Sequence, residues 1–407
     1  MRRRARGRRA ALLALLAAGW LGFHSEAAHA RARLTADSLA SPGSFAVGVT
    51  TLTLVDPSRP TAASGPYAGS PVRTLVTDVY YPSAGGGRDA PLDTSAGPFP
   101  LLVFAHGLGG SRTNFAATLT HLASRGYVVV APEFPLTSLV NFLAGTVLLA
   151  DLANQPGDVS FEIDTFTGSG ASAGASFAAA VDRNRVGLFG HSYGGGTTML
   201  SVFGGPLADS RLRAAAAAAP FSCPFSRDLF RGRKLPFLIL QGTSDLIVDP
   251  AWSQETFAFL PAPKLLIDIV GGDHLGFVSD PTLPAYRDTD ILGLFTAVLQ
   301  GGLPGGQVAQ FAALAAALSV VPGADPARCL QRPPLPDPNA PHDPLLAHDQ
   351  QLRITDVALT AFMDAFVRRD GAARRFILGF RHRARFGSAV RVCTVTHGRR
   401  TCRARAG

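Results

Sequence analysis

Lysine is almost absent from this chain, and no charge of one sign dominates it. Lys234 and Lys264 are the only lysines among 38 basic residues, which stand beside 29 acidic residues. Residues 1–30 hold six arginines and one glutamate, so they carry +5 of the formal net charge of +9 and leave +4 for the rest. This arginine excess is a compositional bias and not the basic surface of a nucleic-acid-binding protein. We therefore expect no nucleic-acid partner.

Long apolar runs are missing after the N-terminus. No run of eighteen or more apolar residues follows residue 30, so we expect no membrane span once residues 1–30 are removed. Those residues are predicted to be a signal peptide, because arginines precede the apolar stretch Ala10–Phe23 and Ala28-His29-Ala30 is a small-x-small cleavage site. The mature protein is expected to be periplasmic or secreted. Arg8-Arg9 leaves both the general and the twin-arginine export routes open.

Metal-binding spacings are missing as well. The four cysteines form no Cys-x-x-Cys pair and the histidines no His-x-x-x-His pair, so no metal site is predicted. An even number of cysteines in an exported chain predicts two disulfides. Cys393 and Cys402 flank a stretch that can turn as a hairpin, which predicts that they pair with each other. Cys223 and Cys329 are then paired by elimination.

Buried strands and helices alternate from Phe45 onward, which predicts one α/β domain over residues 31–407 with a parallel sheet and helices on both faces. Phe45–Val55 and Val72–Tyr81 are expected to form an antiparallel pair at one sheet edge. Later strands are predicted at Pro100–His106, Tyr127–Ala131, Arg185–Phe189, Leu212–Ala219, Pro236–Leu240 and Lys264–Val270.

Two segments of this domain resist a simple assignment. Leu212–Ala219 has the alanine content of a helix, but we assign a strand because it must fit between its neighbours. Asp158 is expected to cap a helix that runs to Thr165.

Residues 280–344 and 381–407 differ in composition from the core. The first is predicted to be an insertion that contains a helix over Gln307–Leu318 and lies either over the pocket or on the surface. The second is a basic tail, predicted to be pinned by the Cys393–Cys402 disulfide and to present a solvated surface.

The segment around Ser192 carries the strongest functional signal. A buried strand runs into Gly190-His191-Ser192-Tyr193-Gly194, and small residues that can begin a helix follow. A G-x-S-x-G motif in this context predicts a sharp turn that exposes a nucleophilic serine. The second match, centred on Ser172, has no strand before it and is interpreted as a loop or helix start.

An acid and a histidine follow Ser192 at the ends of later strands. Asp245 and His274 lie just after the strands that end near residues 240 and 270, at the sheet edge where α/β enzymes place their sites. The order Ser, Asp, His predicts a catalytic triad, in which the carboxylate orients the imidazole that deprotonates the serine. Asp273, Asp249 and Glu133 are weaker candidates for the acid.

Backbone donors for an oxyanion are predicted at two positions. Tyr193 follows the nucleophile, and Leu108 lies in the loop after an early strand. His106 in that loop is expected to organise it and not to act as a second base. Phe134 and Phe277 are expected to line, with Leu108 and Tyr193, a pocket for an apolar acyl group.

Several of these segments together resemble the α/β-hydrolases grouped with platelet-activating-factor acetylhydrolases, dienelactone hydrolases and cutinase-like polyester hydrolases. The matching segments are Phe45–Leu52, Tyr80–Pro82, His106–Gly110, Leu122–Val130 and Gly190–Gly195. The resemblance implies an α/β-hydrolase fold with a mostly parallel sheet of about eight strands. It also implies carboxylic ester hydrolysis without a cofactor, with Ser192, Asp245 and His274 as the triad. Dienelactone hydrolases use a cysteine nucleophile, so their activity does not fit this chain.

The resulting hypothesis is an exported serine esterase that forms an acyl-enzyme on Ser192. Apolar acyl esters, lipids and polyesters all remain open as substrates. A prolyl-oligopeptidase-type serine peptidase is the nearest alternative, although the chain has no room for a propeller before the core. A catalytically inactive binding protein on the same fold is the alternative from another class.

Overall fold

The computed structural model describes residues 34–168, 174–331, 342–396 and 399–402. The chain divides into two units, Met1–Leu34 and Thr35–Gly407, and every element named below belongs to the second. The predicted signal peptide lies outside the described residues. Within the described ranges, no helix is both long and apolar enough to span a bilayer.

One mixed sheet forms the centre of the Thr35–Gly407 unit. Its strand order is β11-β10-β9-β8-β7-β6-β4-β5-β2-β1-β3. The strands are β1 (Ala46–Asp56), β2 (Arg73–Ser83), β3 (Gly87–Arg88), β4 (Phe99–Ala105), β5 (Val128–Glu133), β6 (Val181–His191), β7 (Leu212–Ala218), β8 (Phe237–Gly242), β9 (Lys264–Ile269), β10 (Val390–Thr396) and β11 (Arg399–Thr401).

The sheet is parallel in its middle and has antiparallel pairs on either side, while the short edge strand β3 runs parallel to β1. Six consecutive strands of the sheet run parallel to one another: β5, β4, β6, β7, β8 and β9. At the two ends of this group, β2 pairs antiparallel with β5 and β10 pairs antiparallel with β9. The expected count of about eight strands is wrong, because the sheet has 11. The additional strands are the two-residue β3 and the tail hairpin β10–β11, which extends the sheet by backbone pairing that an apolar pattern does not reveal.

Helices cover both faces of the sheet. They are α1 (Ala36–Ala40), α2 (Ala116–Ser124), α3 (Leu139–Ala144), α4 (Gln155–Thr167), α5 (Ala175–Ala178), α6 (Tyr193–Phe203), α7 (Pro250–Phe259), α8 (Asp288–Ala297), α9 (Gly306–Ala317), α10 (Arg328–Gln331), α11 (His348–Phe366), α12 (Gly371–Leu378) and α13 (Phe380–Arg383). Short 3-10 turns cover Leu149–Ala153, Gly205–Leu207, Arg227–Phe230, Leu275–Phe277 and Gly387–Ala389, and a π-helical turn covers Val298–Gly302.

Alternate residues of β6 show how the two helical layers are separated. Gly187 approaches Met363 of α11, so β6 presents this position to the closing helix. Gly190 instead approaches the backbone of Gly194 in α6 on the opposite face. Because successive side chains of a strand point to opposite faces, one layer contains α11 and the other contains α6. Both layers therefore exclude water from the parallel strands.

The alanine-rich segment forms strand β7, as predicted. Ala214–Ala218 are fully buried between β6 and β8. A Cβ atom on Gly195 of α6 would lie 3.5 Å from Cβ of Ala217. Larger side chains on β7 would push α6 away, so small residues are required where this helix packs closely on the strand.

Asp158 does not cap a helix, contrary to the sequence prediction. Helix α4 begins at Gln155, and Asp158 lies inside it. The Asp158 carboxylate accepts hydrogen bonds of 2.6 Å from both Nε and Nη2 of the fully buried Arg73, which also pairs with Asp151. A buried guanidinium needs such partners, because an uncompensated charge in the core is strongly destabilising. The acidic residue is therefore a core ion-pair partner.

The insertion between β9 and α11 packs against the core. Its helices are α8, α9 and α10, and the Cys223–Cys329 disulfide ties α10 to the segment after β7. The Gln310 side chain of α9 accepts a hydrogen bond of 2.8 Å from the Leu149 backbone N–H. Residues 332–341 of the predicted insertion lie outside the described residues. The second disulfide joins Cys393 of β10 to Cys402.

Candidate active site

Ser192 lies at a sharp turn between β6 and α6. Its backbone has φ 54° and ψ −119°, a conformation that is strained for a residue with a side chain. Glycine is required on both sides: a Cβ atom on Gly190 would lie 2.1 Å from the Gly194 carbonyl oxygen, and one on Gly194 would lie 2.1 Å from that of Ala105. The turn thus projects the Ser192 side chain away from the sheet. The other G-x-S-x-G match, at Ser172, lies outside the described residues.

Asp245 follows β8 and accepts four hydrogen bonds. Its Oδ1 accepts from the backbone N–H groups of Ile247 at 2.9 Å and Val248 at 2.8 Å. Its Oδ2 accepts from Nε2 of Gln241 at 3.1 Å and from Nδ1 of His274 at 2.9 Å. These donors stabilise an ionised carboxylate in a buried position.

His274 follows β9, and its ring is held by Asp245. Donation from Nδ1 to the carboxylate leaves Nε2 as the unprotonated nitrogen of a neutral ring. Burial lowers the pKa of His274, but the charge and hydrogen bond of Asp245 outweigh it, with Asp288 and Asp273 adding to the rise, so the pKa lies above its ordinary value. No hydrogen bond joins the Ser192 and His274 side chains within the described residues, but both line one cavity.

The weaker acid candidates are engaged elsewhere. Asp273 accepts from the Gly276 N–H at 2.8 Å and pairs with Arg287 at 3.3 Å. Asp249 accepts from the Ala251 N–H at the start of α7, and Glu133 pairs with Arg112. Within the described residues, Asp245 is thus the acid that contacts the imidazole of His274.

Leu108 and Tyr193 each have a backbone N–H without an acceptor among the described residues, and both line a cavity with Ser192. Tyr193 is the first residue of α6, so its N–H has no acceptor within the helix. The Leu108 N–H makes no hydrogen bond to any residue that the structure describes, and Leu108 and Tyr193 both line a cavity with Ser192. Free donors at a helix N-terminus and in an adjacent loop can bind a developing negative charge.

His106 holds the loop that carries Leu108. Its Nδ1 donates to the Gly107 carbonyl at 2.8 Å, and its Nε2 accepts from the Phe134 N–H at 2.9 Å, which fixes one tautomer. Burial lowers the pKa of His106 to about 4, so the ring stays neutral. With both nitrogens occupied, His106 has no free nitrogen for proton transfer.

Comparisons with known proteins agree with this architecture. The family model described as "Platelet-activating factor acetylhydrolase, isoform II" matches residues 69–141. A ferulic acid esterase from Streptomyces cinnamoneus superposes with a TM-score of 0.54 at 20% identity, over 82% of this chain and 93% of that chain. The chain has the α/β-hydrolase fold.

A curated relative of this chain is the platelet-activating factor acetylhydrolase of Cavia porcellus. The two are 22% identical over 263 residues, which cover 54% of this chain and 56% of the relative. The chain thus aligns with little more than half the length of that protein. Together the three comparisons confirm the predicted resemblance to the acetylhydrolase and esterase group of α/β-hydrolases.

Two cavities meet at Ser192. The smaller, of about 70 Å³, is lined mostly by apolar residues, and the larger, of about 560 Å³, is lined in part by His274. The insertion supplies part of both, since Phe295 lines each of them and Phe311 lines the smaller. The insertion therefore shapes the space around the serine and is not merely a surface excursion.

Phe134 and Phe277 are not among the residues that line these cavities, so their predicted place in the pocket is corrected. Both side chains are fully buried. The Phe134 ring packs 5.0 Å from the ring of His106, and the Phe277 ring lies 6.0 Å from that of His191. Both rings pack against residues of neighbouring segments. Chain position alone does not show whether a side chain lines a cavity or packs behind its wall.

Several polar residues of the site were not found from the sequence. Gln241 donates to Asp245 and is itself held by the Ser253 hydroxyl at 2.6 Å. Gln351 of α11 holds the backbone of Asp273 through bonds of 3.1 and 2.8 Å. Asp288 accepts three backbone hydrogen bonds from the loops of Asp245 and His274. Gln241 could have been found from the sequence, because it is a polar residue at the end of the apolar strand β8. The residues around Asp288 show no pattern that indicates the site.

No group of three or more metal-ligating side chains occurs in the part of the chain that the structure describes. His191, which precedes the serine, packs against His274 with ring centroids 4.5 Å apart and ring planes tilted by 42°. Burial and the nearby His274 hold the pKa of His191 well below its ordinary value. His274 is therefore the histidine suited to exchange a proton with Ser192.

Proposed function

We propose that this chain is a serine carboxylic ester hydrolase that acts through an acyl-enzyme on Ser192. The observation that carries the proposal is the Asp245–His274 hydrogen bond of 2.9 Å, since His274 and the strained Ser192 line the same cavity. Acetylhydrolase and esterase relatives support an ester as the substrate. The fold by itself supports no particular reaction.

In the proposed reaction, His274 Nε2 takes the proton of the Ser192 hydroxyl as Oγ attacks the ester carbonyl carbon. The oxyanion of the tetrahedral intermediate is bound by the N–H groups of Leu108 and Tyr193, and Asp245 stabilises the imidazolium. Collapse of the intermediate breaks the bond to the alkoxy oxygen, which receives the proton from His274. Water then repeats the sequence on the acyl-enzyme and releases the acid.

The two cavities suggest where the parts of the ester bind. His274 lines only the larger cavity, and it must protonate the departing alcohol, so the alcohol is assigned to that side. The acyl group is then assigned to the small apolar cavity beside Leu108 and Tyr193. This arrangement favours short apolar acyl groups on a larger alcohol.

Exposed apolar side chains surround the larger cavity and support an apolar alcohol. Leu143 of α3 is 70% exposed and Leu294 of α8 is 56% exposed, and both line this cavity. Lipid and polyester esters both have alcohol portions that fit such a surface. Two disulfides and the predicted signal peptide support action outside the cytoplasm, in the periplasm or the medium.

Hydrolysis of p-nitrophenyl esters of increasing acyl length tests the proposal. Wild type, Ser192→Ala and the control Ser319→Ala, which alters an exposed serine, are assayed beside a matched p-nitroanilide. Ester turnover that is lost only in Ser192→Ala, with negligible anilide turnover, is the expected result. Comparable anilide cleavage would instead favour the peptidase. If the folded wild type neither cleaves esters nor reacts with a fluorophosphonate, the esterase proposal is wrong. The result would favour the alternative of an inactive binding protein.

A further inference from the structure

We propose that Asp288 is a positioning residue for the Asp245–His274 pair, a role that rests on the proposed esterase function. Asp288 is the first residue of α8, so it belongs to the insertion and not to the core strands. Its side chain nevertheless lies between the two loops that carry the acid and the base. The insertion would then contribute to the catalytic geometry as well as to the pocket.

The carboxylate of Asp288 connects these loops directly. Oδ2 accepts from the N–H of Leu246 at 2.8 Å, next to Asp245, and from the N–H of His274 itself at 3.0 Å. Oδ1 accepts from the N–H of Leu275 at 2.8 Å. Asp288 is 1% exposed, so water does not replace these bonds.

Besides the Asp245–His274 hydrogen bond, two backbone hydrogen bonds join the loops nearer the sheet. The N–H of Thr243 donates to Ile269 at 3.0 Å, and that of Ser244 donates to Gly272 at 2.8 Å. These bonds lie before Asp245 and before His274. Asp288 is placed farther along both loops, where a displacement would change the distance between the carboxylate and the imidazole.

A role confined to helix capping does not account for these contacts. The N-cap position of α8 is Arg287, whose backbone N–H donates at 2.7 Å to Asp290, three residues on. All three hydrogen bonds of Asp288 come from outside α8. Its oxygens therefore serve the catalytic loops and not the end of its own helix.

Charge adds a second effect of Asp288 on His274. The ionisable groups that face this carboxylate are His274, Asp245 and Asp273, and Asp273 is paired with Arg287. Burial raises the pKa of Asp288 to about 7, with Asp245 and Asp273 adding to the rise and His274 opposing it. An ionised Asp288 in turn raises the pKa of His274. Removing the charge should therefore lower the pKa of the imidazole.

The test compares Asp288→Asn with wild type and with Asp290→Asn, which alters an exposed acid of the same helix. The kcat and KM values for p-nitrophenyl acetate are measured from pH 5 to 9, and unfolding curves verify the fold. We expect kcat to fall about 10- to 100-fold in Asp288→Asn with little change in KM, because small displacements of reacting groups are costly. The acid limb of the kcat/KM profile should move down by roughly half a pH unit or more. Asp290→Asn should match wild type.

An NMR titration of the His274 ring, assigned with His274→Gln, provides a readout that does not need activity. A lower pKa of His274 in Asp288→Asn supports the proposal, even if wild type proves to have no esterase activity. Unchanged kcat, pH profile and imidazole pKa in folded Asp288→Asn would overturn it. Should Asp288→Asn fail to fold, Asp288→Glu carries the test: it retains the charge but displaces the oxygens, so wild-type kcat in this variant would contradict a positioning role.

Discussion

The carboxylate of Asp245 lies 2.9 Å from Nδ1 of His274, across a sequence separation of 29 residues. Burial lowers the pKa of His274 and Asp245 more than compensates, so the net shift is upward. Since the proposed reaction needs a neutral imidazole, the raised pKa means that activity is lost on acidification at a higher pH than an ordinary histidine would give. We expect the acid limb of kcat/KM above about pH 6.5.

Asp245→Asn tests the origin of this limb. Without the carboxylate, the imidazole loses the charge that raises its pKa and the acceptor that fixes its tautomer. We expect kcat to fall by about 10³- to 10⁴-fold and the residual acid limb to move to lower pH. The matched control is Asp249→Asn, which alters an acid four residues away that does not touch His274. An acid limb that stays in place in Asp245→Asn would contradict this account.

Gly194→Ala should destabilise the protein strongly. The new Cβ atom would lie 2.1 Å from the Ala105 carbonyl oxygen, and neither backbone segment can move without disturbing β4 or the serine turn. A loss of about 3 kcal/mol or more in the free energy of unfolding is expected, measured by chemical denaturation. Gly293→Ala in α8 is the control, because apart from the adjacent backbone of its own helix no atom of the described residues lies within 4 Å of the new Cβ. That change should be neutral or stabilise the fold by up to about 1 kcal/mol.

Phe311→Ala should shift the preferred acyl group to longer chains. Phe311 of α9 is 6% exposed and lines the small cavity beside Ser192. Removing the ring enlarges the cavity, so kcat/KM should rise for hexanoyl and octanoyl esters relative to the acetyl ester. Val308→Ala, at a 75% exposed position of the same helix, should leave the profile unchanged. An identical chain-length profile in both variants would argue against the assignment of the acyl group to this cavity.

Glu162→Gln should change how stability depends on pH. Burial raises the pKa of Glu162 to about 8, and Asp158 adds to the rise, while the Thr77 hydroxyl opposes it. The folded state then holds a proton that the unfolded chain releases above about pH 4.5, so wild type loses stability as the pH rises from about 4.5 to 8.

Glutamine removes this titration without changing the size of the side chain. Relative to wild type, Glu162→Gln should gain stability across that interval, by about 2 kcal/mol or more at pH 8. Urea denaturation at pH 5 and pH 8 measures the difference, and Glu255→Gln, at a partly exposed position, is the control. A constant difference between Glu162→Gln and wild type at both pH values would contradict the prediction.

The local sequence by itself determined most strands of the central sheet and the order Ser, Asp, His of the candidate triad. Local patterns predict the conformation of the apolar strands β4 and β8. They also predict the sharp turn at Ser192, because the adjacent glycines avoid contacts with nearby backbone. The alanine-rich β7 was assigned correctly only because its neighbours left no room for a helix. The positions of Asp245 and His274 after successive strands followed from the rule that parallel strands end at one edge.

Contacts between distant segments were decided only by the tertiary structure. The tail hairpin joins the sheet through backbone pairing of β10 with β9, and the side chains of β10 do not specify that partner. Phe134 and Phe277 are buried and do not line either cavity. The direction in which each side chain points depends on how its loop packs on the core. Asp288 reaches the loops of Asp245 and His274 from an insertion, and Arg73 of β2 pairs with Asp151 in a 3-10 turn and Asp158 in α4. Such partners are fixed by where separate elements pack in space, which no short-range pattern in the chain records.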